Sequence, residues 1–218
     1  MSASGRLTVG VIGAGPVGTV LGQALEAAGH LLVGQASTDP QELVAESDLV
    51  LFAIPAAELQ ATVSGYAKAG LFKPGQLVAH TAGEFGIDVL QPAVEQGVIP
   101  LAIHPAMTFT GTSIDLTRIR ESYFGVAAPE VALPIAQALV IEMGAEPIVI
   151  SEENRKIYFE AISVANNFSK LVVNQSIGLL ESIGIEHARV VLGPVLRSAV
   201  EEALADGHTP INPEELLN

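Results

Sequence analysis

Residues 9–18 read Val-Gly-Val-Ile-Gly-Ala-Gly-Pro-Val-Gly, an apolar run that leads directly into the pattern Gly13-x-Gly15-x-x-Gly18. Apolar residues then recur at helical spacing from Val17 to Ala28. A strand, a glycine turn and a helix in this order are typical of a dinucleotide-binding βαβ unit. The less favoured interpretation is a glycine-rich turn in some other α/β protein.

Each glycine has its own task in such a unit. The first permits a tight turn, the second lets the backbone approach a pyrophosphate, and the third lets the helix pack closely on the strand. The N-terminus of the helix offers free N–H groups and a partial positive charge to the phosphates. We therefore expect this loop to bind a cofactor through Gly13, Ala14, Gly15, Pro16, Val17 and Gly18.

The composition limits the classes of function that this chain can have. It has 218 residues, 49% of them apolar, and a formal net charge of -14. Nucleic-acid binding is not expected, because contacts to phosphates need a basic surface. The chain has no cysteine, which excludes disulfides and thiolate metal sites, and we expect no metal site. No apolar run approaches the ~20 residues that span a bilayer, and no secretion signal precedes the first strand, so we expect a cytoplasmic protein without membrane contact.

Short apolar strands alternate with helices as far as residue 150. The predicted strands cover residues 7–12, 31–33, 48–54, 77–80, 99–103, 124–127 and 147–150, with helices at 56–69, 89–96 and 132–143. This alternation favours a doubly wound, mostly parallel Rossmann sheet of the α/β class. Between Gln35 and Asp48 only one helical turn is predicted, where a full Rossmann half has a further helix and strand.

The pattern changes at Ser151, which is a suitable N-cap and is followed by two glutamates. A long amphipathic helix is predicted from there to Gly184, and a second from Glu186 to Leu204 with a kink at Gly193-Pro194. The sequence therefore predicts two domains. A Rossmann NAD(P)-binding domain covers residues 1–150, and an all-helical C-terminal domain covers residues 151–218.

The tip of the second strand distinguishes the two nicotinamide cofactors in this fold. An acidic residue about 20 positions after the glycines favours NAD, whereas small polar residues leave room for the 2′-phosphate of NADP. Here the tip reads Gly34-Gln35-Ala36-Ser37-Thr38, without an acid. We expect Ser37 and Thr38 to bind the cofactor, and we expect NADP, with NAD as the alternative.

Polar residues follow three strand ends, and ligands of open α/β sheets bind beyond such ends. Ile54-Pro55 and Thr81 are expected to contact the cofactor. His80 is expected to cap its strand through a hydrogen bond to the backbone. His104 has two equally weighted interpretations: a similar structural cap, or a group that binds an acid or relays a proton beside Thr108 and the threonines that follow it.

A polar stripe runs along the long helix. Its members, at spacings of three and four that place them on one face, are Ser163, Asn166, Asn167, Lys170 and Asn174. If the stripe is buried, a substrate is one candidate partner for it. Lys170 would then donate the proton that accompanies hydride addition, and Asn174 would hold a hydroxyl or carboxylate. The alternative is an exposed Lys170, with asparagines that bridge to a partner helix.

Several segments together resemble the Rossmann-like proteins that carry a DUF2520 domain, members of the 6-phosphogluconate dehydrogenase C-terminal-like superfamily. The matching segments are residues 13–18, 47–55, 80–83, 104–111 and 165–168. The family often has Ser at the position of Ala82. The resemblance implies an NAD(P)-type N-terminal domain, a helical domain that forms homodimers through its helices, and an oxidoreductase activity on an unassigned small-molecule substrate.

Two more distant likenesses bear on the reaction. His104-Pro105 is similar to the strand-end His-Pro of prephenate dehydrogenases. Residues 170–174, Lys-Leu-Val-Val-Asn, are similar to the Lys-x-x-x-Asn helix of β-hydroxyacid dehydrogenases and ketopantoate reductases. In those enzymes the Lys is the acid and the Asn binds substrate.

Together these features predict an NAD(P)-dependent oxidoreductase that transfers hydride between nicotinamide and a small 2-oxo or hydroxy acid. Lys170 is the predicted proton donor, and His104 is a predicted orienting group. The predicted substrate-binding residues are Asn166, Asn167, Asn174 and Thr108. The alternative from another class is a non-catalytic dinucleotide-binding sensor or a dimeric regulatory protein.

Overall fold

The computed structural model describes residues 5–36 and 40–207. The chain forms two compact units, Met1–Ile162 and Ser163–Asn218. The first unit contains a seven-stranded sheet with helices on both faces. The second contains the larger part of one long helix and the whole of another.

The strands are β1 (Thr8–Ile12), β2 (Leu31–Ala36), β3 (Leu49–Phe52), β4 (Leu77–His80), β5 (Ile99–Pro105), β6 (Tyr123–Ala127) and β7 (Glu146–Val149). The helices are α1 (Pro16–Ala27), α2 (Pro40–Glu46), α3 (Ala56–Lys68), α4 (Gln91–Val94), α5 (Ile114–Ile119), α6 (Leu133–Glu142), α7 (Arg155–Ser182) and α8 (Ala188–Asp206). Turns of 3-10 helix at Ile87–Leu90 and Glu152–Asn154 precede α4 and α7.

The strands lie in the order β2-β1-β3-β4-β5-β6-β7. Every neighbouring pair is parallel except β5 and β6, where His104 lies opposite Gly125. The predicted mostly parallel sheet is therefore confirmed. Because β3 pairs directly with β1, the short α2 stands where a full Rossmann half has a helix and a further strand. The C-terminal ends of β1 to β5 lie along one edge of the sheet, which we call the carboxyl edge.

Helices cover both faces of the sheet, because its central strands are apolar on both sides. All residues of β3 and β4 are buried. Leu21 of α1 and Leu139 of α6 belong to the apolar core on one face, and Leu59 of α3 belongs to the core on the other. The two layers hold the strand ends of the carboxyl edge in fixed positions.

The structure differs from the prediction in three places. The helix expected over residues 89–96 is a 3-10 turn followed by the four residues of α4. Helix α5 has no counterpart in the prediction, because six residues are too few to show a helical period. The side chain of Ser151, the expected N-cap, makes no capping hydrogen bond.

The second unit leaves large apolar side chains exposed. In the described parts of α7 and α8, only Arg155 and Ala188 are buried. The exposed fraction reaches 60% for Phe168, 65% for Leu179 and 78% for Leu204. None of the helices that the structure describes is long and apolar enough to cross a membrane.

Candidate functional site

The glycine loop turns between β1 and α1 at the carboxyl edge. Gly13 has φ +121°, and a Cβ there would lie 2.3 Å from the carbonyl oxygen of Ala53. A Cβ on Gly18 would lie 2.9 Å from the carbonyl oxygen of Gly13. Space is open beside Gly15, where a Cβ would meet no atom within 4 Å. The loop therefore packs tightly on β3 and leaves its outer side accessible to a ligand.

A cavity of about 300 Å³ adjoins this loop. Its walls are the glycine loop from Ile12 to Gly15, the end of β3 from Ala53 to Pro55, and the side chains of Glu58, Thr62 and Tyr66 on α3. A larger cavity of about 440 Å³, beside Asp48 and Gln76, lies at the opposite edge of the sheet. Ligands of such sheets bind at the carboxyl edge, so the smaller cavity is the candidate cofactor site.

The predicted cofactor residues are distributed unevenly around this cavity. Ile54 and Pro55 lie in its wall beside the glycines. The backbone N–H of Thr81 donates to the carbonyl oxygen of Phe52 at 3.1 Å, so Thr81 links β4 to β3. Ser37 and Thr38 lie outside the described residues.

Gln35, at the tip of β2, links that strand to the glycine loop. Its Nε2 donates to the carbonyl oxygen of Gly13 at 2.5 Å, and its amide also lies 3.2–3.3 Å from the hydroxyl of Thr19. The side chain at this tip is exposed and uncharged. The sequence pattern indicates only the missing acid at this position and gives no signal for the contact between the amide and the glycine loop.

His80 has the structural role expected from the sequence. It is fully buried, and its Nε2 donates to the carbonyl oxygen of Gly86 at 2.7 Å. Burial and, to a smaller extent, the positive charge of Arg155 lower the pKa of His80 to about 4, although the hydrogen bond to Gly86 acts in the opposite direction. The ring is therefore neutral at physiological pH.

His104 contacts two aromatic side chains from the start of α7. Its Nδ1 lies 2.9 Å from the hydroxyl of Tyr158, and the rings of Tyr158 and Phe159 meet the imidazole edge to face. Burial lowers the pKa of His104 to about 4, and the charge of Arg155 acts in the same direction. The pairing with Tyr158 gives His104 a side-chain partner in addition to its place at a strand end.

Arg155 brings a buried cation to the same place. It is 1% exposed, and its Nη1 donates to the carbonyl oxygen of Gly125 at 3.4 Å. Its Nε and Nη2 have no hydrogen-bond partner within the described chain. Burial lowers the pKa of Arg155, while the negative charge of Glu152 opposes that shift.

Glu152 also links α7 to the loop after β4, because its carboxylate accepts a hydrogen bond from the backbone N–H of Ile87 at 2.8 Å. A positive charge thus lies near two neutral histidines in a chain of net charge -14.

The loop after His104 is organised by a buried carboxylate. Asp115 accepts hydrogen bonds from the backbone N–H groups of Thr110 and Gly111 at 2.7 and 2.8 Å, and from the hydroxyl of Thr110 at 3.0 Å. Burial alone would raise the pKa of Asp115, but these hydrogen bonds and that from Thr112 outweigh it and lower the pKa. A Cβ on Gly111 would lie 3.3 Å from Pro16, so the loop reaches the start of α1. Thr108 is exposed on the same loop.

The polar stripe of α7 lies in the second unit. Lys170, Asn167 and Asn174 are exposed in this single chain, and Asn166 is half-buried. Nδ2 of Asn166 donates to Oδ1 of Asn167 at 3.3 Å. The premise that the stripe is buried is therefore not met, because a two-helix unit presents most of its surface to solvent. The substrate-binding role of these residues stays a prediction. No cluster of three metal-ligating side chains occurs within the described ranges.

The chain matches two family models. Residues 2–39 and 34–105 match the Rossmann-like domain, and residues 122–211 match the domain of unknown function DUF2520. The family resemblance drawn from the sequence is therefore confirmed. No protein of curated function matches the chain.

Solved structures with a similar fold include three proteins of different description. A Bacteroides fragilis protein, provisionally described as an NADP oxidoreductase, has a TM-score of 0.74 and 18% identity over 90% of this chain and 80% of its own. The Mycobacterium tuberculosis 3-hydroxyisobutyrate dehydrogenase, with L-serine, has a TM-score of 0.61 and 17% identity over 86% and 70%. The Plasmodium falciparum pyrroline carboxylate reductase, with NADP bound, has a TM-score of 0.62 and 13% identity over 97% and 82%. At these identities the likeness establishes the fold.

Proposed function

We propose that this chain, a Rossmann-like protein with a DUF2520 domain, is an NAD(P)-dependent oxidoreductase acting on a small 2-oxo or hydroxy acid. The observation that carries the proposal is the cavity at the carboxyl edge. There Gly13 and Gly18 have no room for a side chain, and space is open beside Gly15. This is the shape that a pyrophosphate needs, next to the free N–H groups at the start of α1.

NADP is the proposed cofactor, with NAD as the alternative. The uncharged Gln35 at the tip of β2 supports this choice, because an acidic residue there would repel a 2′-phosphate. Two of the solved neighbours, from B. fragilis and P. falciparum, are described with NADP. When bound, the cofactor supplies or accepts the hydride.

We propose the following roles towards the substrate for residues of the chain. Lys170 donates the proton that accompanies hydride addition, and His104 orients the reacting group. Thr108 and three asparagines hold the rest of the substrate: Asn166, Asn167 and Asn174. The support for these roles is the common helix face of the α7 residues and the likeness of 170–174 to β-hydroxyacid dehydrogenases. The M. tuberculosis neighbour is an enzyme of that kind by name.

A second copy of the chain is the proposed partner. Phe168, Leu179 and Leu204 are exposed on α7 and α8 to an extent unusual for a monomer. We propose that a homodimer covers them through these helices. Light scattering should give twice the chain mass, and Leu179→Asp should give the single mass if this surface forms the dimer. Action in the cytoplasm stays a prediction from the sequence.

A non-catalytic dinucleotide sensor is the second candidate function. The exposure of Lys170 and Asn174 in the single chain favours it, because a catalytic lysine is usually partly buried. In that case the cofactor would bind and no substrate would be turned over. A panel of 2-oxo acids with NADPH, followed at the nicotinamide absorbance, separates the two functions.

Lys170→Ala tests the enzyme proposal further. We expect it to lower kcat by about 100-fold or more while cofactor affinity is unchanged. Lys68→Ala, which removes an exposed lysine from α3, is the matched control and should leave the rate unchanged. An unaltered rate in Lys170→Ala would remove this lysine from the mechanism.

A further inference from the structure

We propose that Tyr158 is a positioning residue that fixes the tautomer of His104, so that the imidazole presents an N–H on Nε2 to a carbonyl or imine group of the substrate. The part about the substrate rests on the proposed function. The tautomer does not, since it follows from the contacts of the protein alone.

The hydroxyl of Tyr158 is held between two strands. His104 of β5 lies opposite Gly125 of β6, and Tyr158 from α7 lies across this pair. A Cβ on Gly125 would lie 2.7 Å from the hydroxyl oxygen, so the hydroxyl occupies the space that glycine leaves. Burial raises the pKa of Tyr158, so its hydroxyl keeps its proton.

The hydrogen bond between this hydroxyl and His104 then has a direction. Among the described residues, Nδ1 of His104, 2.9 Å away, is the one partner that can accept a hydrogen bond from the hydroxyl, so it is the acceptor for the O–H of Tyr158. A neutral imidazole has one donor nitrogen and one acceptor nitrogen. If Nδ1 accepts from Tyr158, the proton of His104 is on Nε2.

The Nε2 of His104 points to a place without a side chain. A Cβ on Gly83, in the loop after β4, would lie 2.7 Å from this nitrogen. The ring of Phe159 from α7 borders the same space, because that Cβ would also lie 2.5 Å from it. Any other residue at position 83 would place its Cβ against Nε2 of His104.

The charges around the ring keep it neutral. The titratable groups facing His104 from the neighbouring elements are His80 of β4 and Arg155 and Tyr158 of α7. Burial and the charge of Arg155 both oppose protonation of His104. A neutral imidazole donates a hydrogen bond without giving up its proton, and in this state it polarises a carbonyl. His104 therefore orients and polarises the reacting group, and the transferred proton comes from another residue.

Long-range ¹H–¹⁵N NMR correlations on protein with ¹⁵N-labelled histidine test the tautomer directly. His104→Gln identifies the signals of His104 among the five histidines. We expect a protonated Nε2 and an unprotonated Nδ1 in the wild type. In Tyr158→Phe we expect the ¹⁵N chemical shifts of Nδ1 and Nε2 of His104 to move towards each other, because both tautomers become populated. The signals of His80 and the circular dichroism spectrum should stay unchanged. Tyr123→Phe, at the exposed start of β6, is the control and should leave His104 as it is.

A wild-type His104 with its proton on Nδ1, or signals that do not change in Tyr158→Phe, would overturn the proposal. These spectra need no substrate, so they stand even if the proposed function fails. With a substrate in hand, Tyr158→Phe should lower kcat about tenfold, the worth of one hydrogen bond, at unchanged cofactor KM. A rise in cofactor KM at constant kcat would contradict a role in positioning His104.

Discussion

The two halves of the carboxyl edge are built in different ways. The glycine half, at the ends of β1, β2 and β3, is formed mainly by backbone and lies within the first third of the chain. The histidine half, at the ends of β4 and β5, depends on side chains that are far apart in sequence. His104 and Tyr158 are 54 positions apart, and Ile87 and Glu152 are 65 apart. A backbone site can thus be encoded by one short motif, whereas a side-chain site requires the completed fold.

The two halves also hold charge differently. The glycine half offers the dipole of α1 and no basic side chain among the residues lining its cavity. The histidine half contains the buried guanidinium of Arg155, two nitrogens of which have no hydrogen-bond partner among the described residues. Unpaired buried donors reduce stability. We therefore expect substitutions in the glycine half to destabilise the fold. Substitutions in the histidine half should leave the fold stable and impair function.

The largest expected effect of a single substitution is in the glycine half. Gly13→Val places a β-branched side chain at φ +121° and against the carbonyl of Ala53. We expect the free energy of unfolding to fall by about 3 kcal/mol or more, measured by urea denaturation. Gly65→Ala is the matched control, because it lies in α3 with nothing within 4 Å of a new Cβ. It should raise stability by roughly 0.5–1 kcal/mol. Equal effects of the two substitutions would mean that the glycine loop is not tightly packed.

The pH dependence of stability reports on the histidine half. The pKa values of His80 and His104 are about 4 in the fold, below the ordinary value of 6.5. The unfolded chain therefore binds more protons between these values, and stability falls as pH decreases from about 6.5 to about 4. The loss is up to about 3 kcal/mol for each histidine, measured as urea midpoints from pH 7.5 to 4.5. His104→Asn should flatten the profile, whereas His187→Asn, at an exposed position, should not. A flat wild-type profile would contradict the burial of the two rings.

The preference between NADPH and NADH tests whether the tip of β2, in the glycine half, selects the cofactor. Gln35→Glu places a negative charge at the tip of β2, where a 2′-phosphate would lie. We expect NADPH affinity to fall about tenfold relative to NADH, measured by nicotinamide fluorescence. Gln23→Glu adds the same charge on the exposed side of α1 and should leave the ratio unchanged. If both substitutions alter the ratio equally, the tip of β2 does not select the cofactor.

The smallest expected effect is on stability in the histidine half. Arg155→Met replaces the buried cation by an apolar side chain of similar length. We expect the free energy of unfolding to rise by about 1 kcal/mol, and the pKa of His104 to rise because a positive charge is lost. Urea denaturation and NMR titration measure the two quantities. A large loss of stability would contradict this expectation. It would show that the hydrogen bond from Arg155 to Gly125 stabilises the packing of α7 on the sheet by more than the burial of the charge costs.

The same contrast explains what the sequence could predict. The fold, the glycine loop and the contribution of Ile54 and Pro55 follow from local patterns of apolar and glycine residues. Tyr158 and Arg155 could not be found in this way, because only the pairing of β5 with β6 and the direction of α7 bring them to His104. Their one local signal is a spacing of three residues at the start of a helix, which places both on one face. Of the threonines after His104, Thr110 is engaged with Asp115, and the substrate-binding role of Thr108 stays a prediction.

The most direct test of the account is a titration of the purified protein with NADPH and with NADH, followed by nicotinamide fluorescence and thermal shift. We predict saturable binding of NADPH, weaker binding of NADH, and a rise in melting temperature that follows the occupancy. A folded protein that binds neither dinucleotide would contradict the account, because the glycine loop would then have the shape of a cofactor site without its function.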